Sequence, residues 1–384
     1  MNHNGERREG ASPGLRGGCI SREREHRRSG LVGGRVRCEP LCTGGLPGVV
    51  SREDKVLLCM NANTSLKNWC NSIMTFKYGD AVQQARVRPG MTVGELVDEL
   101  GKAGAYNGGS LWQAVNIYER MLRDEEALKF FGLSGAMVPG GMGGIVADLI
   151  RRGHIDVLVS TGANLTHDTI EAIGCHHYHG TCEVSDTELC EEGINRIYDI
   201  FLPNEAFIRF EEFMQDVYSS LPEGSTVSIS ELLNRIGSRL DSGILAEAAK
   251  AGVPVYCPAI QDSMIGLQYW LFSQMHKVVV SAFGDMHELL DRCFEAERAG
   301  AVFVGGGVPK NYILQSKLMT ESGFDYAVQL TGDRPDLGGL SGATLDEARS
   351  WGKLTGEARA VTVYGDATIN LPMLVAATLE RLEG

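Results

Sequence analysis

No uninterrupted apolar run approaches the ~20 residues that span a bilayer. The Arg- and Gly-rich start of the chain has no apolar segment of the secretory kind. These absences point to a cytoplasmic chain with no membrane partner. Ten cysteines are scattered over 384 residues without a framework spacing, so free thiols in a reducing compartment are expected. Lysine is absent from residues 1–50, which hold nine Arg, five Glu and eleven Gly with little periodic apolar pattern. Such a stretch cannot bury enough surface to offset its ordering entropy. Residues 1–75 are therefore expected to be a disordered N-terminal extension. Net charge is −13, and with +9 and −5 in residues 1–50 the remainder carries −17. That balance argues against sequence-independent nucleic-acid binding and suits cationic partners such as amines. Solubility is the plainer reading of the same charge.

What the sequence does contain is a core. Its residues are 43% hydrophobic and 22% charged, in keeping with a soluble α/β enzyme. Order is expected from about residue 86. Thr92 is placed to cap a helix over 93–100, with Glu95 at the capping-box position, and a helical pattern continues over 105–127. Residues 130–133 are a short apolar run that opens into SGAMVPGGMGGIVADLIRRG. This reads as strand, glycine loop and helix, a place where a ligand can approach backbone N–H groups. It lacks a full G-x-G-x-x-G, because Val146 stands where the last glycine would fall, so a purely structural turn fits equally well. Residues 155–160 (IDVLVS) read as a strand buried on both faces. Further apolar strands are expected at 253–257, 301–304, 326–330 and 360–364, with helices over 205–221, 229–240, 243–250, 285–299 and 344–351. Small or acidic residues follow the strands: Thr161-Gly162-Ala163, Asp262, Gly305-Gly306-Gly307, Gly332-Asp333 and Gly365-Asp366-Ala367. Several such loops on one sheet edge form a coherent cofactor-site pattern. The fold class is α/β, a doubly wound, mostly parallel sheet with helices on both faces, in one domain over 86–384.

Individual residues admit two readings each. In 338–353, GGLSGATLDEARSWGK, the Trp351–Lys353 pair is either a packed indole with a solvated lysine or a nucleophilic amine beside an aromatic wall. Glu347 is a solvated helix acid or a ligand for a cation. Asp262 caps the helix starting near Ser263 or meets a ligand. Lys310 neutralises a phosphate or lies at the surface, and His167–Asp168 is a proton relay or a helix-start pair. Cys175, His176, His177, His179, Cys182 and Cys190 include metal-ligand types, but their spacing fits no closed zinc site. His176 and His177 would diverge on any regular element. A packed or substrate-lining histidine cluster is expected there, and no metal.

Taken in order, IDVLVSTGAN (155–164), EEGINRIYDIFLPNE (191–205), VGGGVPK (304–310), SGATLDEARSWGK (341–353) and VTVYGDAT (361–368) resemble the deoxyhypusine synthase family, which includes homospermidine synthase. The resemblance implies an NAD-dependent aminobutyl transfer. In that family NAD oxidises an amine such as spermidine. The aminobutyl part is then held on a lysine as an imine, passed to an acceptor amine and reduced. The acceptor is a lysine of a translation initiation factor, or a small diamine giving homospermidine. By match, Lys353 is the nucleophile, Trp351 the indole along the amine and Glu347 the carboxylate for its cationic end. Asn311, Lys310 and His167 fall among the amine-site positions. The NAD positions fall on Gly135, Ala136, Met137, Val138, Thr161, Gly162, Ala163, Asp262, Gly306, Gly332, Asp333, Asp366 and Ala367. A homotetramer with active sites shared between subunits is also implied.

The departures lie mainly in the amine pocket. Leu267 and Leu340 stand where the family has aspartates, Asn311 replaces a histidine, Gln315 an asparagine, and Thr166 and His167 two glutamates. Losing anionic groups weakens spermidine binding through unpaired buried ammoniums. A smaller or differently charged donor, such as putrescine or a guanidino amine, is the expectation. The competing expectation is a catalytically reduced, NAD-binding regulatory subunit of the same fold.

Overall fold

The computed structural model describes residues 79–384, and the extension expected over 1–75 lies outside the described residues. Six parallel strands form the main sheet: β1 (Ala127–Leu133), β2 (Val157–Ser160), β3 (Val255–Tyr256), β4 (Arg298–Val304), β5 (Phe324–Thr331) and β6 (Leu354–Tyr364). Their order across the sheet is β6-β5-β4-β1-β2-β3. Each strand precedes a helix carrying the same number: α1 (Gly143–Arg151), α2 (Gly162–Ala172), α3 (Met264–Ser273), α4 (Gly307–Ser316), α5 (Leu345–Ser350) and α6 (Ala367–Glu383).

Alternate side chains of each strand point to opposite faces. Phe130, Val157, Val159, Ala301 and Phe303 pack with α4, α5 and the helix Gly284–Glu295. Phe131, Leu133, Leu158, Val302 and Val304 pack with α1, α2, α6 and the helix Tyr106–Arg123. Both faces are thus covered, which is why the strands read as continuous apolar runs. At about 1.5–3 kcal/mol for each fully buried large aliphatic side chain, these two cores dominate the stability.

The sequence expectations hold for the sheet and shift at its margins. The helical pattern expected over 105–127 ends at Arg123, and the one over 285–299 ends at Glu295. Ion pairing accounts for both ends. Arg298 at the start of β4 donates to both oxygens of Asp124 at 2.7 Å and to Glu126 at 2.6 Å, fastening the starts of β1 and β4 together. The guanidinium holds the Asp124 carboxyl below its ordinary range. Two small sheets were not foreseen: Tyr178–His179 with Ile200–Pro203 and Ile194–Ile197, and Thr226–Ser228 with Val279–Ser281.

Asp168 is not a helix-start residue of its own segment. It lies inside α2, and its two oxygens accept from Ile244 N at 2.7 Å and Leu245 N at 2.9 Å, capping the helix Ile244–Ala251. Burial pushes its carboxyl up to about 6, against the pull of those two N–H groups.

Candidate active site

Because the sheet is parallel, every loop that follows a strand emerges at the same edge. The order reverses between β1 and β4, and there the two loops are bound side by side. Ser134 N donates to Val304 O at 3.0 Å, and Ser134 Oγ donates to Gly306 O at 2.5 Å. Gly135 and Ala136 are exposed, whereas Met137 and Val138 bury their side chains in the core, so that stretch offers only backbone. The fully buried Asn164 of α2 holds the loop, its Oδ1 accepting from Val138 N at 3.1 Å. Thr161 caps α2 ahead of Gly162 and the exposed Ala163. A Cβ on Gly162 would lie 2.4 Å from Ser263 Cβ, so only glycine fits between the two helix starts. Ser263, not Asp262, caps α3, which leaves the exposed Asp262 carboxylate out of that role. Gly332 has open space around its Cα, and Asp333 is exposed beside it. Asp366 caps α6 through one oxygen, which accepts from Thr368 N at 2.7 Å and Thr368 Oγ1 at 2.8 Å. Ala367 begins that helix.

On the face covered by α4 and α5, a cavity of about 360 Å³ is lined by Lys310, Asn311, Leu340, Glu347, Trp351 and Lys353, among others. Lys353 follows the short helix α5, which Thr344 caps by accepting from Glu347 N at 3.0 Å. Its backbone is fixed at both ends: Lys353 N donates to Ala348 O at 3.0 Å and Phe324 N donates to Lys353 O at 2.9 Å. Its Nζ donates to Asn311 Oδ1 at 3.3 Å and lies 5.9 Å from the Trp351 ring centre, within cation–π reach. Trp351 is 67% exposed, so its indole is a wall of the cavity and not a packed core residue. Immediately after Lys353 the strand is irregular: Phe324 pairs with Leu354 but Tyr326 pairs with Arg359. Arg349 gathers this irregularity, donating to the carbonyls of Thr355, Gly356 and Ala358 at 2.8, 3.0 and 2.6 Å.

Lys310 is neither at the surface nor free to meet a phosphate. It is 3% exposed, and its Nζ donates to Gln329 Oε1 at 3.0 Å and to Ala343 O. Gln329 Nε2 donates in turn to Gly305 O at 3.0 Å and Ser341 O at 2.9 Å. One buried amide therefore joins the glycine loop after β4 to the turn that leads into α5. Leu340, half-exposed, lines the cavity where an acid is usual by resemblance, so Glu347 is the sole carboxylate among the lining side chains.

The family model for deoxyhypusine synthase matches residues 95–378. The chain belongs to the deoxyhypusine synthase family. It is 57% identical over 303 residues to "Probable deoxyhypusine synthase 1" of Methanosarcina acetivorans, covering 78% of this chain and 95% of that one. Its identity to "Probable deoxyhypusine synthase 1" of Archaeoglobus fulgidus is 44% over 302 residues, with 78% and 98% covered. A crystal structure from Entamoeba histolytica assigned to deoxyhypusine synthase superposes with a TM-score of 0.52 at 17% identity, over 76% of this chain and 94% of that one, and supports the fold. Membership makes this deoxyhypusine synthase family protein a transferase.

Within one copy of this family member, His167 does not line the Lys353 cavity. It belongs to a separate cluster. His177 Nε2 meets His167 Nδ1 at 2.9 Å, and Glu171 meets His177 Nδ1 at 2.6 Å and His176 Nδ1 at 3.0 Å. The adjacent histidines therefore converge, contrary to the divergence expected of a regular element, because residues 175–177 belong to no helix or strand and pass around one carboxylate. Burial, and then His177, lowers the His167 imidazole to about 4, so it is neutral at pH 7. Among the described residues no group of three or more His, Cys, Asp or Glu side chains is arranged to hold a metal ion. Sequence reasoning did not single out Gln329, and it placed Asn164 in the loop after 155–160 without giving it a role. The signal available was a polar residue just beyond, or within, an otherwise apolar buried strand.

Proposed function

We propose that this family member is an NAD-dependent aminobutyltransferase acting through an imine on Lys353. The observation that carries the reading is that Lys353, Trp351 and Glu347 share one cavity, whose wall is tied by Gln329 to Gly305 beside the strand-order reversal. Sheets of this strand order bind dinucleotides at that reversal. The residues fit such a ligand: a Cβ on Gly306 would sit 2.5 Å from Ser341 Cα, whereas Gly332 is open, so the edge is shaped by glycine backbone. Gly135 to Val138, Thr161 to Ala163, Asp262, Gly306, Gly332-Asp333 and Asp366-Ala367 would hold NAD. NAD held there would supply reversible hydride acceptance for oxidising the donor amine and reducing the product.

The chain's own residues then bind and position. Trp351 packs along the aliphatic body of the donor, Glu347 binds its distal cation, and Asn311 holds the Lys353 amine in place. A single carboxylate in the cavity suits a donor with one cation beyond the reacting nitrogen, such as a diamine or a guanidino amine, over a triamine. The acceptor is a translation-factor lysine or a small diamine that yields homospermidine.

The assembly is a homotetramer with shared sites. Helix α3 is apolar all round, and Leu267, Trp270 and Leu271 remain about half exposed in one copy, the kind of face a second copy covers. Sharing would also let the His167 side of one copy meet the Lys353 cavity of the next. The setting is cytoplasmic; no helix among the described residues is long and apolar enough to cross a membrane.

Borohydride added to the protein with NAD and an amine donor is expected to add the mass of the reduced aminobutyl imine at Lys353, and Lys353→Ala to abolish it. The loss of pocket acids at Leu340 favours a second reading, a catalytically reduced NAD-binding regulatory subunit. NAD binding without an adduct from any of a panel of diamines, triamines and guanidino amines would establish that reading instead.

A further inference from the structure

Lys310 lines the same cavity as Lys353, yet its ammonium contacts no carboxylate among the described residues. Buried cations ordinarily sit against an acid, because an unpaired charge costs several kcal/mol on the order of the desolvation penalty. Its two acceptors are neutral: Gln329 Oε1 from β5 and Ala343 O from the turn before α5. A neutral primary amine has two N–H groups and one lone pair. Two carbonyls satisfy both N–H groups and leave the third direction for the lone pair, or for a third N–H when the amine is protonated. The neutral side chain is thus satisfied where it stands, whereas the protonated one carries a third N–H that meets no acceptor among the described residues. Burial, reinforced by Lys353 and opposed by Glu347, lowers Lys310 to about 8, so both states are accessible at working pH. Glu347 of α5 and Lys353 ahead of β6 are the titratable groups that act on it; β5 and the 341–344 turn contribute only the Gln329 amide and backbone carbonyls.

We propose that Lys310 is the proton-exchange partner of Lys353 in imine transfer, acting across the cavity that both side chains line, and not a ligand for substrate or phosphate. This rests on the aminobutyl-transfer reading above. Neutral Lys310 takes a proton from the Lys353 ammonium, and the freed Lys353 amine attacks the iminium carbon of the oxidised donor. A C–N bond to Lys353 forms. A proton moves from the Lys353 nitrogen to the donor's nitrogen, and the bond from carbon to that nitrogen breaks, leaving the aminobutyl group on Lys353 as a protonated imine. The departing amine takes the proton that Lys310 holds and leaves as an ammonium. No electrons are gained or lost in this exchange, and Lys310 returns to its neutral form. Transfer to the acceptor runs the same sequence in reverse.

The test is the rate of borohydride-trappable imine at Lys353 in a single turnover, measured from pH 6 to 10 with NAD and the best amine donor. Lys310→Met is expected to slow trapping by about 10²–10⁴-fold, the usual span for a positioned acid–base group. The limb of the pH profile near 8 should disappear with it. Lys310→Arg keeps a cation and N–H donors against the two carbonyls but cannot accept a proton, and is expected to be as slow as Lys310→Met. Lys310→Cys alkylated with bromoethylamine restores an amine of lower basicity, so activity should return with the limb moved to lower pH. Melting curves on each variant separate loss of fold from loss of chemistry, and the alkylation readout compares one folded sample before and after treatment. Rescue by Lys310→Arg, or trapping by Lys310→Met within threefold of the unaltered chain, would overturn the proposal in favour of a structural staple. No adduct on the unaltered chain with any amine would instead overturn the transfer reading itself, and this proposal with it.

Discussion

Replacing Gly306 with alanine is the sharpest probe of how the proposed cofactor edge and the lysine cavity are joined. The added Cβ would lie 2.5 Å from Ser341 Cα and 3.0 Å from Ser341 O. That is roughly 1 Å inside ordinary carbon–carbon contact at about 3.5 Å, and the obstacle is backbone, which cannot rotate away. Overpacking of this kind costs about 1–3 kcal/mol. Ser341 O also accepts from Gln329 Nε2 at 2.9 Å, so displacing it loosens the amide that holds Lys310. One or two hydrogen bonds add about 1 kcal/mol each. The sum, about 2–5 kcal/mol, lowers the melting temperature on the order of 10 °C for a domain of this size. Imine trapping should fall by on the order of 10²-fold, the usual consequence of an ångström of misplacement near the chemistry. Calorimetry is to be run beside Gly332→Ala, whose new Cβ meets nothing within 4 Å and should stay within about 0.5 kcal/mol of the parent, and single-turnover trapping beside the parent itself. If Gly306→Ala melts like Gly332→Ala and traps like the parent, the coupling through Ser341 and Gln329 is wrong.

Two further outcomes follow from the same geometry. Asp168, at about 6 in the folded chain, lies above the ~3.9 of an unfolded aspartate, so its stabilising contribution is present below about pH 4 and is lost as pH rises through about 6. Asp168→Asn should shift the change in melting temperature between about pH 4 and pH 6 in the favourable direction relative to the parent, and should cost about 1–2 kcal/mol of capping; an unchanged slope would refute the assignment. Leu340→Asp adds a second carboxylate to a cavity that has one, and spermidine should then bind roughly tenfold or more tightly, a charge-assisted contact being worth about 1.5–3 kcal/mol. Steady-state KM for spermidine against putrescine checks it, and an equal change for both donors would refute the reading of the pocket.

The sheet was legible in the sequence because strands buried on both faces must be apolar at every position, as Val157–Ser160 and Arg298–Val304 are over most of their length. The grouping of Lys353, Trp351 and Glu347 was legible for a different reason: they are close in the chain and stay close in the fold. What escaped depends on long-range pairing. The helix expected up to residue 299 stops at Glu295 because Arg298 is claimed by Asp124, some 170 residues away in the chain, and local propensity carries no sign of that. Likewise Asp168 caps a helix that starts 76 residues later, and Lys310 meets Gln329 from the neighbouring strand. Local patterns identify a lysine but not its burial. The convergence of His176 and His177 on Glu171 needed the actual path of the chain, since no regular element brings neighbouring side chains to one point.

The arginine behind Lys353 has a consequence of its own. Arg349 and Ala358, nine residues apart, are joined by a 2.6 Å hydrogen bond, with the carbonyls of Thr355 and Gly356 drawn to the same guanidinium. Lys353 lies within the ring that this side chain closes. Closing a ring of that length removes most of the freedom its residues would otherwise have, and it does so when the protein folds, before any amine arrives. On the proposed mechanism the Lys353 nitrogen is therefore carried on backbone that is already ordered, and the donor's binding energy is left for holding the donor.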